Sequence, residues 1–342
     1  MKAIVFHEHG GIEKLRYEDL PEPQIGERDL LVKVEATTVN RIDFFVRSGY
    51  PGVTFKFPHI PGGDIAGTVS AVGARVRMFK KGDRVLAWPL IACGQCEMCR
   101  QEKRALCLNW QYFGLHIDGS YAEHVRVPEE SLIPLPKNVS FEEAATLPIA
   151  GLTAYHALVT VGQLKQGETA LMWGGSGGLG TFATQIAKRL GARVITTVGR
   201  DEKCAALLKL GADHVFNHRR DDIASAVRDV TGGAGVEVVL DSVGAETFPK
   251  SFQLLKKGGR LLLCGKLTGL DVTLSLHQTY LRHLSILGLY LGEKHELETL
   301  LDWVAEGQIK PIIHRTFALK DAAEAQRMMA AGEHIGKLVL KP

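Results

Sequence analysis

The chain has 342 residues, long for a single hydrophobic core, so two domains are the simpler expectation. Its 41 basic residues against 38 acidic ones leave a net charge of +3, with no block of about five or more like charges, which speaks against nucleic acid as a partner. The first residues, Met1 to Gly10, carry charge from Lys2 onward and hold no long apolar core, and no uninterrupted apolar run of membrane-spanning length stands out. A cytoplasmic protein that does not engage a membrane is expected.

Residues 1–133 contain short alternating runs, Leu30 to Val34, Ile65 to Val72 and Arg84 to Trp88, separated by Gly and Pro turns, as in a compact antiparallel barrel or sandwich. Ser140 followed by Glu143 forms a capping box, and a helical pattern continues through Ala144, Ala145 and Leu147. From Thr169 onward the character changes. The apolar runs Thr169 to Trp173, Arg193 to Val198, His214 to Phe216, Val236 to Leu240, Arg260 to Cys264 and Ser285 to Leu289 alternate with helical segments, the pattern of a doubly wound parallel α/β sheet. The tail ends in a short strand, Lys337 to Leu340, which suggests a return to the first domain. The expected division is therefore 1–133 with 290–342, and 134–289, with cofactor and substrate meeting between the two.

At the head of the second domain the segment Thr169 to Gly180 reads T-A-L-M-W-G-G-S-G-G-L-G, in which Gly175, Gly177 and Gly180 form G-x-G-x-x-G. Gly175, Gly177, Gly178, Leu179 and Gly180 are the expected contacts of a dinucleotide pyrophosphate, met by backbone N–H groups at a helix start. Glycines of this kind also serve to pack a helix closely on a strand. Thr181 stands where a nucleotide-hydrolysing P-loop would need Lys. Four of the six cysteines fall at Cys93, Cys96, Cys99 and Cys107, a C-x2-C-x2-C-x7-C spacing suited to one tetrahedral zinc with no open position, hence a structural ion; a disulfide or redox role is the alternative. Cys204 and Cys264 stand apart and read as core residues.

The order of features resembles the medium-chain dehydrogenase/reductase superfamily, which includes zinc alcohol dehydrogenases and quinone oxidoreductases. The resemblance covers essentially the whole chain: Asn40-Arg41-Ile42-Asp43, Pro61 to Gly67, Lys81 to Val85, the cysteine lobe, Asp118 to Glu123, Gly151 to Tyr155 and the glycine turn. It implies a GroES-like β-barrel domain carrying the substrate site, a Rossmann domain, and a homodimer or homotetramer formed through the Rossmann sheet edge. Where the alcohol dehydrogenases of this family carry catalytic zinc ligands, this chain has Asn40, Gly63 and Ile149, none of them a ligand of choice. His59 lies close by, but reads as a packed or capping histidine.

Without a Lewis acid, reduction of an already polarised acceptor is the easier chemistry, so a quinone or an activated alkene or carbonyl is the expected small-molecule acceptor. Asn40 can donate to a carbonyl or cofactor oxygen, with Asp43 as its organiser or as a cap. Tyr50 matches a tyrosine of the family's enoyl reductases and is a candidate proton donor, or else packs over the mouth of the site. Tyr112 and Tyr290 are weaker candidates for pocket walls, and Thr153 matches a threonine beside the nicotinamide. The position of the ribose-binding carboxylate of an NAD site falls on Val198 or Gly199, and Arg200 and Lys203 follow it. This favours NADPH, with NADH possible, although Asp201 and Glu202 lie near. Two rival expectations are a zinc alcohol dehydrogenase with unusual ligands and a non-catalytic NADPH-binding sensor or scaffold.

Overall fold

The computed structural model describes residues 1–342, which divide into two compact units: Met1–Ala150 with Glu293–Pro342, and Gly151–Gly292. The first boundary falls later than residue 133 because the segment after it stays with the barrel. The strand Leu132–Pro134 pairs with Arg84–Ala87, and the Ile149 N–H reaches the Asp64 carboxylate at 3.1 Å.

In the first unit the central strand is Asp29–Thr38. It pairs antiparallel with Ala66–Val72 and His124–Pro128, and at its far end with the C-terminal strand Lys337–Lys341. The tail therefore closes the sheet that the N-terminal half begins. Leu30, Val32 and Val34 point to one face and join Val69, Val85, Val125 and Val127 in one core. A second core gathers Ile4, Val5, Tyr121, Phe317, Leu338 and Leu340.

The second unit is a six-stranded sheet with every neighbouring pair parallel, in the spatial order His214–Asn217, Arg193–Val198, Thr169–Met172, Val236–Asp241, Leu255–Leu263, Ser285–Gly288. Numbered along the chain this is 3-2-1-4-5-6, so the topology reverses beside Thr169–Met172, where the glycine turn emerges. Leu171, Ile195, Val239 and Leu261 stack along the buried face. The expected strands are recovered to within a few residues at most ends. The strand placed at Arg260 begins earlier, at Leu255, with a register irregularity between Val236 and Val238.

Of the sequence expectations, the one for the two lone cysteines needs correction. The helical run Phe141–Val161 is long and apolar enough to cross a bilayer, but 72% of its apolar window is buried inside the protein, so it packs as a core helix. Its first turn is held by the expected capping box: the Glu143 N–H donates to Ser140 Oγ at 3.2 Å, and the Ser140 N–H donates to Glu143 Oε2 at 3.0 Å. Cys204 and Cys264 are only half-buried, one starting the helix Cys204–Lys209 and the other lying just past a strand end.

Candidate functional site

Helix Gly178–Arg189 begins directly on the glycine turn, with Gly177 as its extended N-cap. The N–H groups of its first turn have no intrahelical partner, as an anion site at a helix start requires. The glycines divide by task. A Cβ at Gly175 would lie 2.0 Å from Thr196 Oγ1, and one at Gly180 2.5 Å from the Gly175 Cα, so both are demanded by packing. At Gly177 the nearest atom would be 3.5 Å away, which leaves this glycine as the open approach. Gly178 and Leu179 are half-exposed in the first turn, and Thr153 is buried in a separate helix, Leu152–Tyr155.

Past the second strand, Arg200 is in extended conformation with Nη1 3.7 Å from Glu202, and the buried Lys203 places Nζ 3.5 Å from Ser176 Oγ in the glycine turn. Asp201 is occupied: it accepts from Asn217 Nδ2 at 2.9 Å and pairs with Arg220 at 2.7 Å. Gly199 faces His218 and Arg219, two residues the sequence reading passed over. They follow a different strand, and nothing in the linear spacing ties them to Gly199.

In the first unit Cys93, Cys96, Cys99 and Cys107 come together, their sulfurs all within 4.8 Å of one another. Individual sulfur pairs stand at 3.5, 3.9 and 4.0 Å, against about 3.8 Å expected from tetrahedral geometry with Zn–S bonds of about 2.3 Å. Backbone N–H groups of Leu108 and Cys99 lower the Cys96 thiol, while burial and neighbouring thiols raise Cys99. The donor set fits zinc: four soft ligands, partly buried, with no cation of their own.

Asn40 and Asp43 also come together, at the start of helix Arg41–Ser48, where the Asn40 N–H donates to Asp43 Oδ2 at 2.8 Å. Tyr121 donates its hydroxyl to the same oxygen at 2.8 Å. Burial pushes Asp43 up to about 7 in spite of these two donors. The Asn40 amide is committed inside the protein: Nδ2 donates to Asp64 Oδ2 at 2.7 Å and lies 3.3 Å from the Thr38 carbonyl, while Oδ1 accepts from Lys337 Nζ at 2.5 Å. Asp64 also accepts from Thr38 Oγ1 and from the Ile149 N–H. Lys337 is completely enclosed, its Nζ 3.6 Å from Asp64 Oδ2 and 3.0 Å from the Val39 carbonyl. Burial moves Asp64 up and Lys337 down, each restrained by the opposite charge of the other.

Asn40, Gly63 and Ile149, which the family resemblance aligns with catalytic metal ligands, are placed as follows. Asn40 is spent on Asp64 and Lys337, and Ile149 gives its backbone N–H to Asp64. Gly63 has no room for a side chain, since a Cβ there would lie 2.6 Å from the Tyr112 hydroxyl. His59 is packed, as expected: it is buried edge-on against Phe6 and Phe55, with Nε2 3.1 Å from the Gly114 carbonyl, and burial lowers its pKa. Tyr50 follows the same helix, after its C-cap Gly49. It is half-buried, while Asn40 and Asp43 stand at the start of that helix. Lys337 and Asp64 were not singled out from the sequence, although a lysine opening the apolar run Leu338-Val339-Leu340 was a usable signal.

Compared with known proteins, residues 26–137 match the alcohol dehydrogenase GroES-like domain and residues 178–306 the zinc-binding dehydrogenase domain. The chain is 34% identical over 342 residues to an alcohol dehydrogenase of Geobacillus stearothermophilus, covering 100% of this chain and 99% of the relative. It is 31% identical over 344 residues to an acryloyl-coenzyme A reductase of Sulfurisphaera tokodaii, covering 100% of both, and quinone oxidoreductases are among its other relatives. A crystal structure of an NAD-dependent alcohol dehydrogenase superposes with a TM-score of 0.95 at 38% identity, covering 100% of both chains. The chain therefore belongs to the medium-chain dehydrogenase/reductase superfamily, built from a GroES-like barrel and a Rossmann domain, and is an NAD(P)H-dependent oxidoreductase.

Proposed function

We propose that the protein is an NADPH-dependent reductase that delivers hydride to a quinone or an activated alkene or carbonyl without a catalytic zinc, and that its one zinc is the structural ion of the cysteine lobe. The observation that carries this reading is the network of Asn40, Asp64 and Lys337, in which the Asn40 amide is spent on a buried carboxylate and a buried ammonium. With no Lewis acid at the reacting oxygen, oxidation of a simple alcohol loses several kcal/mol of charge stabilisation. A conjugated acceptor spreads the developing charge to an oxygen that hydrogen-bond donors hold before protonation. The relative named for acryloyl-coenzyme A acts on an acceptor of this class. Asn40 and Asp43 serve as positioning residues in this scheme, because their polar atoms are consumed internally, and Tyr50 is the candidate proton donor.

NADPH is supported by the absence of a carboxylate at Val198 and Gly199, by Arg200 beside them, and by the engagement of Asp201 with Asn217 and Arg220. A homodimer or homotetramer is supported by the unpaired outer edge of strand Ser285–Gly288 and by Leu276 and Tyr280, 74% and 66% exposed, in the segment before it. The setting proposed is cytoplasmic, with a small-molecule acceptor and neither nucleic acid nor membrane as partner.

The test is NADPH oxidation with a panel of quinones, enones and enoyl thioesters, alongside metal analysis. Turnover of one of these classes with about one zinc per chain is expected, and Tyr50→Phe should lower kcat on whichever acceptor works. Alcohol oxidation with about two zinc ions per chain would instead favour the second reading, an alcohol dehydrogenase with unusual ligands, which the names of relatives support.

A further inference from the structure

Strand Arg193–Val198 ends at Gly199, and a Cβ at Gly199 would lie 3.4 Å from both His218 Nε2 and Arg219 Nε. These two side chains come from the turn after the neighbouring strand His214–Asn217 and converge where an NAD site would place its ribose-binding carboxylate. Their backbone is held in place. The His218 N–H donates to the Val198 carbonyl at 2.9 Å, and the Arg219 N–H donates to Asn217 Oδ1 at 3.0 Å. The same Asn217, together with Arg220, holds Asp201, so the first carboxylate after the strand is matched by other partners.

We propose that His218 and Arg219, with the space left by Gly199, clamp the 2′-phosphate of the cofactor, and that His218 takes up a proton as this dianion binds. The proposal rests on the NADPH reading above. The groups facing His218 are Arg219 on its own turn and, from the segment around helix Phe248–Leu254, Lys250 and Glu246. Burial and the two cations keep the imidazole below the usual histidine range, with Glu246 opposing, so the free site holds it neutral at pH 7 to 8. A phosphomonoester, with a second pKa of about 6, arrives there as a dianion and reverses that balance. Arg219 supplies a permanent charge, whereas His218 charges only when the phosphate is present.

Calorimetric titration of the full-length protein near pH 7.5, in two buffers of different ionisation enthalpy, tests this with adenosine 2′,5′-bisphosphate and adenosine 5′-monophosphate as probes. The bisphosphate should bind about tenfold or more tightly than the monophosphate and draw a fraction of a proton from the buffer. Arg219→Ala should remove about tenfold of that preference, and His218→Gln should abolish the proton uptake, with monophosphate affinity unchanged in both. Equal binding of the two probes by the wild type overturns the NADPH reading and the clamp with it. A preference that survives Arg219→Ala, or proton uptake that survives His218→Gln, overturns the clamp alone.

Discussion

The cysteine lobe gathers four thiols within 4.8 Å and offers no cation of its own, whereas the strand ends around Asp64 enclose two carboxylates and carry Lys337 among them. Both lie in the GroES-like barrel. In the lobe, a bound zinc would allow four ligands to share one point as thiolates and would staple a loop with little core of its own. Around Asp64 the chain supplies the compensating charge from its own C-terminal strand, so the carboxylate is satisfied before any ligand arrives. The same fold thus leaves one polar cluster to be completed from outside and completes the other from within.

The comparison is broken most severely by removing the lobe's ligands. Replacing Cys96 and Cys107 together by Ser should take zinc from about one per chain to near zero, with the largest loss of thermal stability in the set, since structural zinc binding is worth about 10 kcal/mol or more in small domains. Unchanged metal content by elemental analysis would overturn the assignment.

Next in size is Lys337→Met. It leaves Asp64 buried without its counter-charge, and a loss of about 3–5 kcal/mol in urea unfolding is expected. Zinc content should not change, which separates the two clusters. Adding Asp64→Asn to Lys337→Met should recover part of that loss, with a coupling of about 2 kcal/mol in the double-mutant cycle. Strict additivity would mean that the two groups do not compensate each other.

The smallest effect concerns Asp43. Its folded pKa of about 7 lies above the ordinary carboxylate value of about 3.9, so the folded state holds this proton more tightly than the unfolded chain. That contribution is fully present below the unfolded value and is lost as pH rises through the folded one. The wild-type melting temperature should therefore carry a downward slope between about pH 5 and about pH 8 that Asp43→Asn flattens. Asparagine keeps an acceptor for the Asn40 N–H and the Tyr121 hydroxyl. Identical slopes in the two proteins would remove Asp43 from the account.

What was legible in the sequence was whatever local spacing encodes. Alternation placed the strands of the first unit, because side-chain direction repeats every two residues, and continuous apolar runs between helical segments placed those of the parallel sheet. The C-x2-C-x2-C-x7-C spacing placed the lobe, because one chelate loop brings its own ligands together. The glycine turn announced itself, because strand, turn and helix are contiguous. The unit boundary after Ala150 and the membrane-length run at Phe141–Val161 were decided by packing partners far along the chain.

The candidate site shows the same division. The sequence by itself showed that Asn40, Gly63 and Ile149 are poor metal ligands and that no acid stands at Gly199. Only the tertiary structure decided what occupies those places. The Asn40 amide is spent on Asp64 and on Lys337, which lies 297 positions away, and His218 and Arg219 reach Gly199 through the pairing of two parallel strands. A residue's chemical type is written in the sequence, but whether its donors are free or consumed depends on which distant atoms folding brings within about 3 Å of it.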